Sequence, residues 1–528
     1  MNKIFKVIWS KSKQCYVVVS EMAKNKTGKK KIVVASILAA LAMQAGVVAD
    51  VSADESTLTL GGGKAANGMT NGVSIGYLAE SNSHQSIAIG YQALATSQYA
   101  DPAQPAVAIG AGAKAPGRGG VSLGLDAKSS VRGTAIGSST RATGFGAFAG
   151  GTYAQATNGG DVAIGGASSD RFDDYAVASG GYSVAIGTAA KAEQSGAVSI
   201  GYKTNAKTSN SVAVGSESKA TGEGAVAVGR KNTATNPSAS VFGILSNATG
   251  SLATAVGMET NAKGESSLAV GHKSSASGKN GVAVGTNGTK SDLGGVAVGQ
   301  AAQSIAFNSV ATGMNVTAKG ANSVALGASA TANDDGTIAI GSYGSTPTKA
   351  TGNRALAIGS ATTANGLESI AIGSRVNSTS QHSIAIGTGS NASAVKSVAI
   401  GPDSRASVDG GVALGRDSVA DVAGGTANKG YNPNTNRTDN YSGLNGNVLT
   451  STTGAVSIGN GSTVTRQLTG LAAGIRDTDA VNVAQLKSVN LAFSGNVNTG
   501  NVNIANSTLG LKGDNTYITT AANGQNLT

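Results

Sequence analysis

From Gly187 to Gly341 a glycine closes a small–Val–small–Ile/Val run at every fourteenth residue, through Gly201, Gly215, Gly229, Gly243, Gly257, Gly271, Gly285, Gly299, Gly313 and Gly327. After one step of 18 the spacing of 14 resumes at Gly359, Gly373, Gly387, Gly401 and Gly415. Earlier markers at Gly76, Gly90, Gly110, Gly124, Gly137 and Gly165 keep a looser version. A fixed short period means one small unit stacked on copies of itself, a solenoid, because no single unit can bury its own apolar face.

The apolar part of each unit is about five residues, rich in Val and Ile and bounded by Gly, Asn, Ser and Lys, as in "NSVAVG" and "ESIAIG". That is too short between glycines for a helix and suits a strand. Alternation puts Val and Ile on one face and Ser or Ala on the other. The remaining nine residues have room for a second short strand and two turns, so 14 residues make one coil of a flattened parallel β-roll. A strand apolar on both faces reads as covered on both. Val and Ile are therefore expected to fill the coil. Ala213, Ala227, Ala269, Ala283 and Ala297 are expected to face a second surface, that of a neighbouring subunit.

Composition agrees with thin repeated units. Gly accounts for 77 of 528 residues and aromatics for only 4%, against a usual glycine share of about 7%. The formal charge of +11 would suggest a nucleic-acid partner if it were spread over a folded surface. Residues 1–53 hold nine Lys and two acids, which leaves a net +4 for everything after them. Those first residues read as a leader. "KNKTGKKK" precedes the apolar run "IVVASILAALAMQAGVVA", and small residues at Val47/Ala49 or Val51/Ala53 suit cleavage. A spanning anchor would need a run of about that length, but the small-residue exit and the polar chain beyond favour cleavage. The single cysteine, Cys15, lies inside this segment, so disulfides are expected to contribute nothing.

Three stretches carry a family resemblance. The front, "MNKIFKVIWSKSKQCYVVVSEMAK", resembles the extended signal peptide of large autotransporters of Gram-negative bacteria. "NSVAVG", "NSVALG", "ESIAIG" and "HSIAIG", repeated over roughly 71–417, resemble the head repeats of YadA-like trimeric autotransporter adhesins. "TRQLTGLAAGIRDTDAVNVAQLKSV", Thr465–Val489, resembles that family's neck. The resemblance implies an all-β, left-handed parallel β-roll head in a homotrimer, a short helical neck and the start of a β-rich stalk. The divisions are a leader at 1–53, head at 54–424, linker at 425–464 (with Leu449 where the family commonly has Trp), neck at 465–489 and stalk at 490–528. In the neck Thr478 or Asp479 is expected to cap a helix. Ala480, Val481, Ala484, Leu486 and Val489 form an apolar stripe, of which Val481 and Leu486 are expected at the trimer interface. The family ends in strands that form a membrane β-barrel, and none is read after Asn490. The chain is therefore expected to be the N-terminal part of a longer protein displayed on the outer-membrane surface.

Residues for chemistry are sparse. His84, His272 and His382 lie in inter-repeat turns, many coils apart, and cannot converge on a metal or a catalytic base. Asp170, Asp173 and Asp174 in "DRFDDY", and Asp334 and Asp335 in "NDDG", read as solvated turns; neither a calcium-roll motif nor a phosphate loop is present. No enzyme, metal or cofactor is expected. The breaks in the period say more. Extra residues fall between Gly90 and Gly110, between Gly165 and Gly187, and between Gly341 and Gly359. Ten aromatics lie in 77–202, but only Phe242 and Phe307 in 203–342. Aromatics on irregular loops suit binding, and they equally suit the capping of an exposed stack end. Tyr91, Tyr99, Phe172, Asp173, Asp174, Tyr175 and Tyr182 are the candidate ligand-binding residues. The expected function is an adhesin for host matrix, a host-cell receptor or a bacterial surface. The alternative is a spacer that projects another module.

Overall fold

The computed structural model describes residues 57–65, 71–96, 105–167, 174–341, 346–425 and 448–489 in full. It also gives the backbone of short strands at Phe5–Ser10, Cys15–Ser20, Asn490–Ser494, Thr499–Asn503, Ala522–Asn523 and Asn526–Leu527. The chain divides into two units, 1–280 and 281–528, and each is built from the same coil.

One coil shows the construction. Strand Val198–Ile200 runs into Gly201, a turn follows, and strand Asn205–Ala206 leads into a second turn before Val212–Val214 begins the next coil. Like strands of successive coils pair in parallel and in register, Val198 with Val212 and Asn205 with Lys219. A first ladder of three- to five-residue strands and a second of two-residue strands therefore run side by side through each unit. In unit 1 the first ladder goes from Leu58–Leu60 to Leu268–His272. In unit 2 it goes from Val282–Gly285 to Val412–Leu414, and Val412 then pairs with Val456, beyond the linker residues.

The marker glycines are demanded by geometry. Gly215 has φ +122°, and a Cβ there would overlap the carbonyl of Gly229 on the next coil. Gly151, with φ +112°, belongs to the same row; it is hidden in the sequence because its strand reads Phe148–Gly150. Each turn also holds a left-handed residue, as at Lys203 (φ +54°) and Asn210 (φ +55°). Inside the coil, small hydroxyls tie one coil to the next. The Oγ1 groups of Thr289, Thr348 and Thr362 donate to the carbonyls of Gly299, Gly359 and Gly373, each at 2.6 Å.

The lumen is filled by four small side chains per coil, for instance Ser199, Thr204, Ala206 and Ser211. Among the described residues the largest fully buried side chains are Val241, Val316 and Val376. This inverts the expected facing. Ala213, Ala227, Ala269, Ala283 and Ala297 are 0% exposed within one chain and lie inside the coil, out of reach of any neighbouring subunit. Val and Ile of the same strands point outward, partly exposed. The narrow lumen admits nothing larger than Val among the described residues, so the smaller side chains take it and Ile and Leu stay outside.

The breaks in the period leave the ladders intact. Ile87 pairs with Val107, Val162 with Val184, and Ile338 with Leu356, so the extra residues leave at turns without shifting register.

Candidate functional site

The coil offers three kinds of outer surface. The outward side chains of the first ladder are apolar, in unit 1 Val184, Ile186, Val198, Ile200, Val212 and Val214 on three successive strands. In unit 2 the same row includes Ile370, Ile372, Ile384 and Ile386. The second ladder is mostly polar outside, with Lys, Arg, Asn, Thr or Gln at the same place in most coils and Leu94, Val177 and Val419 as exceptions. The turns carry the charged pairs and most of the exposed aromatics.

Turn contacts repeat at one-coil spacing. Lys231 reaches Glu217 at 3.7 Å, Lys279 reaches Glu265 at 3.0 Å, and Glu368 bridges Arg354 at 2.8 Å and His382 at 3.1 Å. All are well exposed, and such pairs are worth a few tenths of a kcal/mol, up to about 1 kcal/mol. Aromatics stack by the same rule: the rings of Tyr77 and Tyr91 lie 6.0 Å apart at 17°.

The candidate binding residues fall out as follows. Tyr91 is 53% exposed within that stack, and Tyr182 is 80% exposed. Tyr175 is half-buried; its hydroxyl accepts from Gln155 Nε2 at 2.9 Å, and its ring tilts against Tyr153 at 6.3 Å. Asp174 is half-buried. Tyr99, Phe172 and Asp173 lie outside the described residues. Tyr77 and Tyr91 sit on turns that follow the first ladder, whereas Tyr182 sits on a turn that follows the second.

One buried acid escaped notice in the sequence. Asp161 is fully buried where other coils have Ser, Ala, Gly or Thr. Its Oδ1 accepts from the backbone N of Gly181 at 2.9 Å and of Ser183 at 3.0 Å, and from Ser183 Oγ at 2.8 Å. Its Oδ2 accepts from the N of Asn158 at 2.8 Å. The carboxylate thus clamps the coil that re-enters after the break between Gly165 and Gly187. Only its place in the lumen row, ten residues after Gly151, could have revealed it.

Unit 2 ends in an unusually exposed segment. Arg466 returns to the last coil, where Nη1 donates to Ser418 Oγ at 3.0 Å and Nη2 to the Arg416 carbonyl at 2.6 Å. Beyond it the described structure has a single five-residue helix, α1 (Val483–Lys487), capped by Asn482 and not by Thr478 or Asp479. Asn482 Oδ1 accepts from the backbone N of Gln485 at 2.8 Å, and Gln485 Oε1 accepts from the N of Asn482 at 3.2 Å, a reciprocal capping box. Asp479 serves a turn instead. The backbone N–H groups of Ile475 and Arg476, each at 3.0 Å, hold its carboxyl below the usual carboxylate range. Val481, Val483 and Leu486 are all exposed, and Ile475 is 95% exposed.

Comparison with known proteins gives matches to three family models. Residues 1–49 match the extended signal peptide of the type V secretion system, and 467–509 match the coiled stalk of trimeric autotransporter adhesins. The YadA head domain repeat matches nine times between residues 69 and 418. The autotransporter adhesin EhaG of Escherichia coli O157:H7 is 37% identical over 109 residues, 19% of this chain and 7% of that protein's length. The crystal structure of the collagen-binding domain of the Yersinia adhesin YadA is 30% identical, covering 43% of this chain and 83% of the other with a TM-score of 0.20. With its signal peptide and autotransporter relatives, the chain is exported and displayed on the outer-membrane surface.

Proposed function

The chain belongs to the YadA-like trimeric autotransporter adhesin family, and from that premise we propose that three copies pack through their first ladders to form an adhesive head without enzymatic activity. The observation that carries this reading is the outward row of Val, Ile and Leu along that ladder. Several of its members, including Ile109, Ile136, Ile164 and Leu414, are more than a third exposed in one chain. A mainly apolar row running along each unit suits an association surface. Val481 and Leu486 extend it into the neck, because a five-residue helix has no stability of its own.

In this reading the head occupies 54–424, the linker 425–464, the neck 465–489 and the stalk 490–528. The polar second ladder and the turns face outward, toward host matrix protein, a host-cell receptor or another bacterium. Tyr91, Tyr99, Phe172, Asp173, Asp174, Tyr175 and Tyr182 contribute the contact in this reading, since tyrosine is enriched among the few residues that dominate interface energy.

The test is light-scattering mass of the full chain, followed by its binding to a panel of matrix proteins and whole cells. A trimer that binds, and loses binding without losing mass when Tyr91 and Tyr182 become Ala, supports the reading. A trimer that binds nothing favours the spacer, and a monomer overturns the proposal.

A further inference from the structure

In unit 1 four successive strands of the first ladder run past the marker glycine: Val226–Arg230, Ser240–Ile244, Thr254–Met258 and Leu268–His272. Their pairing continues there, with Arg230 opposite Ile244, Ile244 opposite Met258 and Met258 opposite His272. Alternation puts Ser240, Phe242 and Ile244 on the outer face. That face is therefore three residues wide in these coils and two in the other described coils of the unit. The widened end is apolar in its middle, where Phe242, Ile244, Leu245 and Met258 are all exposed. Charge surrounds it. Arg230 and His272 close the row at either side, and the pairs Lys231–Glu217 at 3.7 Å and Lys273–Glu259 at 3.9 Å occupy the coils before and after Leu245. An apolar centre within a polar rim is the anatomy of a protein contact.

The other end of the same strands is small. The first outward residue of a ladder strand is Val, Ile or Leu in most coils, Val226 and Leu268 among them. It is Ser240 and Thr254 in the two coils that carry Ile244 and Met258. Bulk added at the end of a strand is thus matched by bulk removed at its start. All strands of the ladder are parallel and in register. In a closed ring of copies whose first ladders face a common axis, the end of each strand meets the start of the corresponding strand on the next copy.

We infer that Ile244 and Met258 of one copy seat against Ser240 and Thr254 of the next, and that this layer fixes the axial register of the assembly. The inference rests on the trimeric reading above and adds to it the residues that align the copies. A 14-residue repeat makes neighbouring coils nearly alike. Copies slid by one coil, about 4.8 Å, would cover almost the same apolar row. At this layer they would not. A slip in one direction sets Ile244 against Val226, and a slip in the other sets Met258 against Leu268, and either overfills the contact. An irregular layer in an otherwise repeating interface is an effective way to specify register.

The experiment places paired cysteines in the full chain, in a Cys15→Ser background, and reads linkage on a non-reducing gel after mild oxidation. One variant carries Ser240→Cys with Ile244→Cys, and the other Val226→Cys with Ile244→Cys. Four residues of extended strand span about 13 Å, too far for a disulfide within one chain, so any linkage joins two copies. The first variant is expected to run as a linked trimer and the second as a single chain. A second measurement follows dissociation on dilution by light scattering. Ser240→Leu is expected to dissociate about tenfold more readily by overfilling the contact. The single chain accepts that change, since Leu268 holds the same place in its own coil. Adding Ile244→Ala to Ser240→Leu is expected to restore association to within about twofold. A wild-type trimer in which the 240/244 pair stays unlinked, in which the 226/244 pair links equally well, or in which Ile244→Ala restores nothing overturns the inference and leaves the trimeric head standing. A wild-type monomer overturns both.

Discussion

The two ladders share one coil, one period and one lumen, yet their outer faces differ in kind. The first shows mainly Val, Ile and Leu, with Thr134, Ser240, Thr254 and Thr312 as exceptions, whereas the second shows mainly Lys, Arg, Asn and Thr. Nothing inside the coil requires the difference, because both ladders send Ala or Ser inward, with Val241 in one coil. In the head we propose, what separates them is what each faces outside: a covered surface for the first and solvent or a partner for the second.

The largest effect should come from reversing the first face. Val212→Lys with Val226→Lys puts charges where the account places other copies of the chain. The expected outcome is a light-scattering mass that falls to the monomer. Asn205→Lys, on the second ladder one strand away, is expected to leave the mass unchanged. Next come the glycines that set the coil spacing for both faces. Gly215→Ala drives a Cβ into the Gly229 carbonyl from a φ of +122° and should cost about 3 kcal/mol or more in denaturant unfolding. Gly224→Ala, left-handed but with nothing nearer than Ser238 Oγ at 3.8 Å, should cost about 1 kcal/mol.

Asp161→Ala should be the next most damaging change. It strands the donors of Asn158, Gly181 and Ser183, at about 2–3 kcal/mol by thermal or chemical unfolding. The smallest effect belongs to the exposed rungs. Glu265→Gln breaks the pair with Lys279 and should move stability by less than about 0.5 kcal/mol. A loss above 2 kcal/mol there would mean that the turns, and not the lumen, hold the stack.

Much of this was legible in the residues. The 14-residue spacing of glycines reads directly as a stack of coils, since only a residue without Cβ fits against the next coil's carbonyl. The five-residue Val/Ile runs read as strands and the three breaks as loops; that the loops spare the register emerged only from the strand pairing. Alternation showed that Val212 and Val214 share a face and that Ala213 takes the other. It could not show which face is inside, because that depends on lumen width, a property of two turns and two strands together. The reading that large apolar residues go inward therefore failed at Ala213 and its equivalents. The helix cap was missed for a related reason. Thr478, Asp479 and Asn482 are all plausible caps, and the choice depends on Gln485 reaching back to Asn482 while Asp479 holds the turn at Ile475. Asp161 was hidden among acids that looked more exposed.

The most direct test of which face is covered uses a single cysteine on each, in a Cys15→Ser background. Val226→Cys lies on the first ladder and Lys219→Cys on the second, one coil apart at most. The native chain is treated with a maleimide and the labelling rates are compared with those of the unfolded chain. The account expects slow labelling at position 226 and fast labelling at 219. Equally fast labelling at both positions would mean that the apolar ladder stands open, and the central claim would fall.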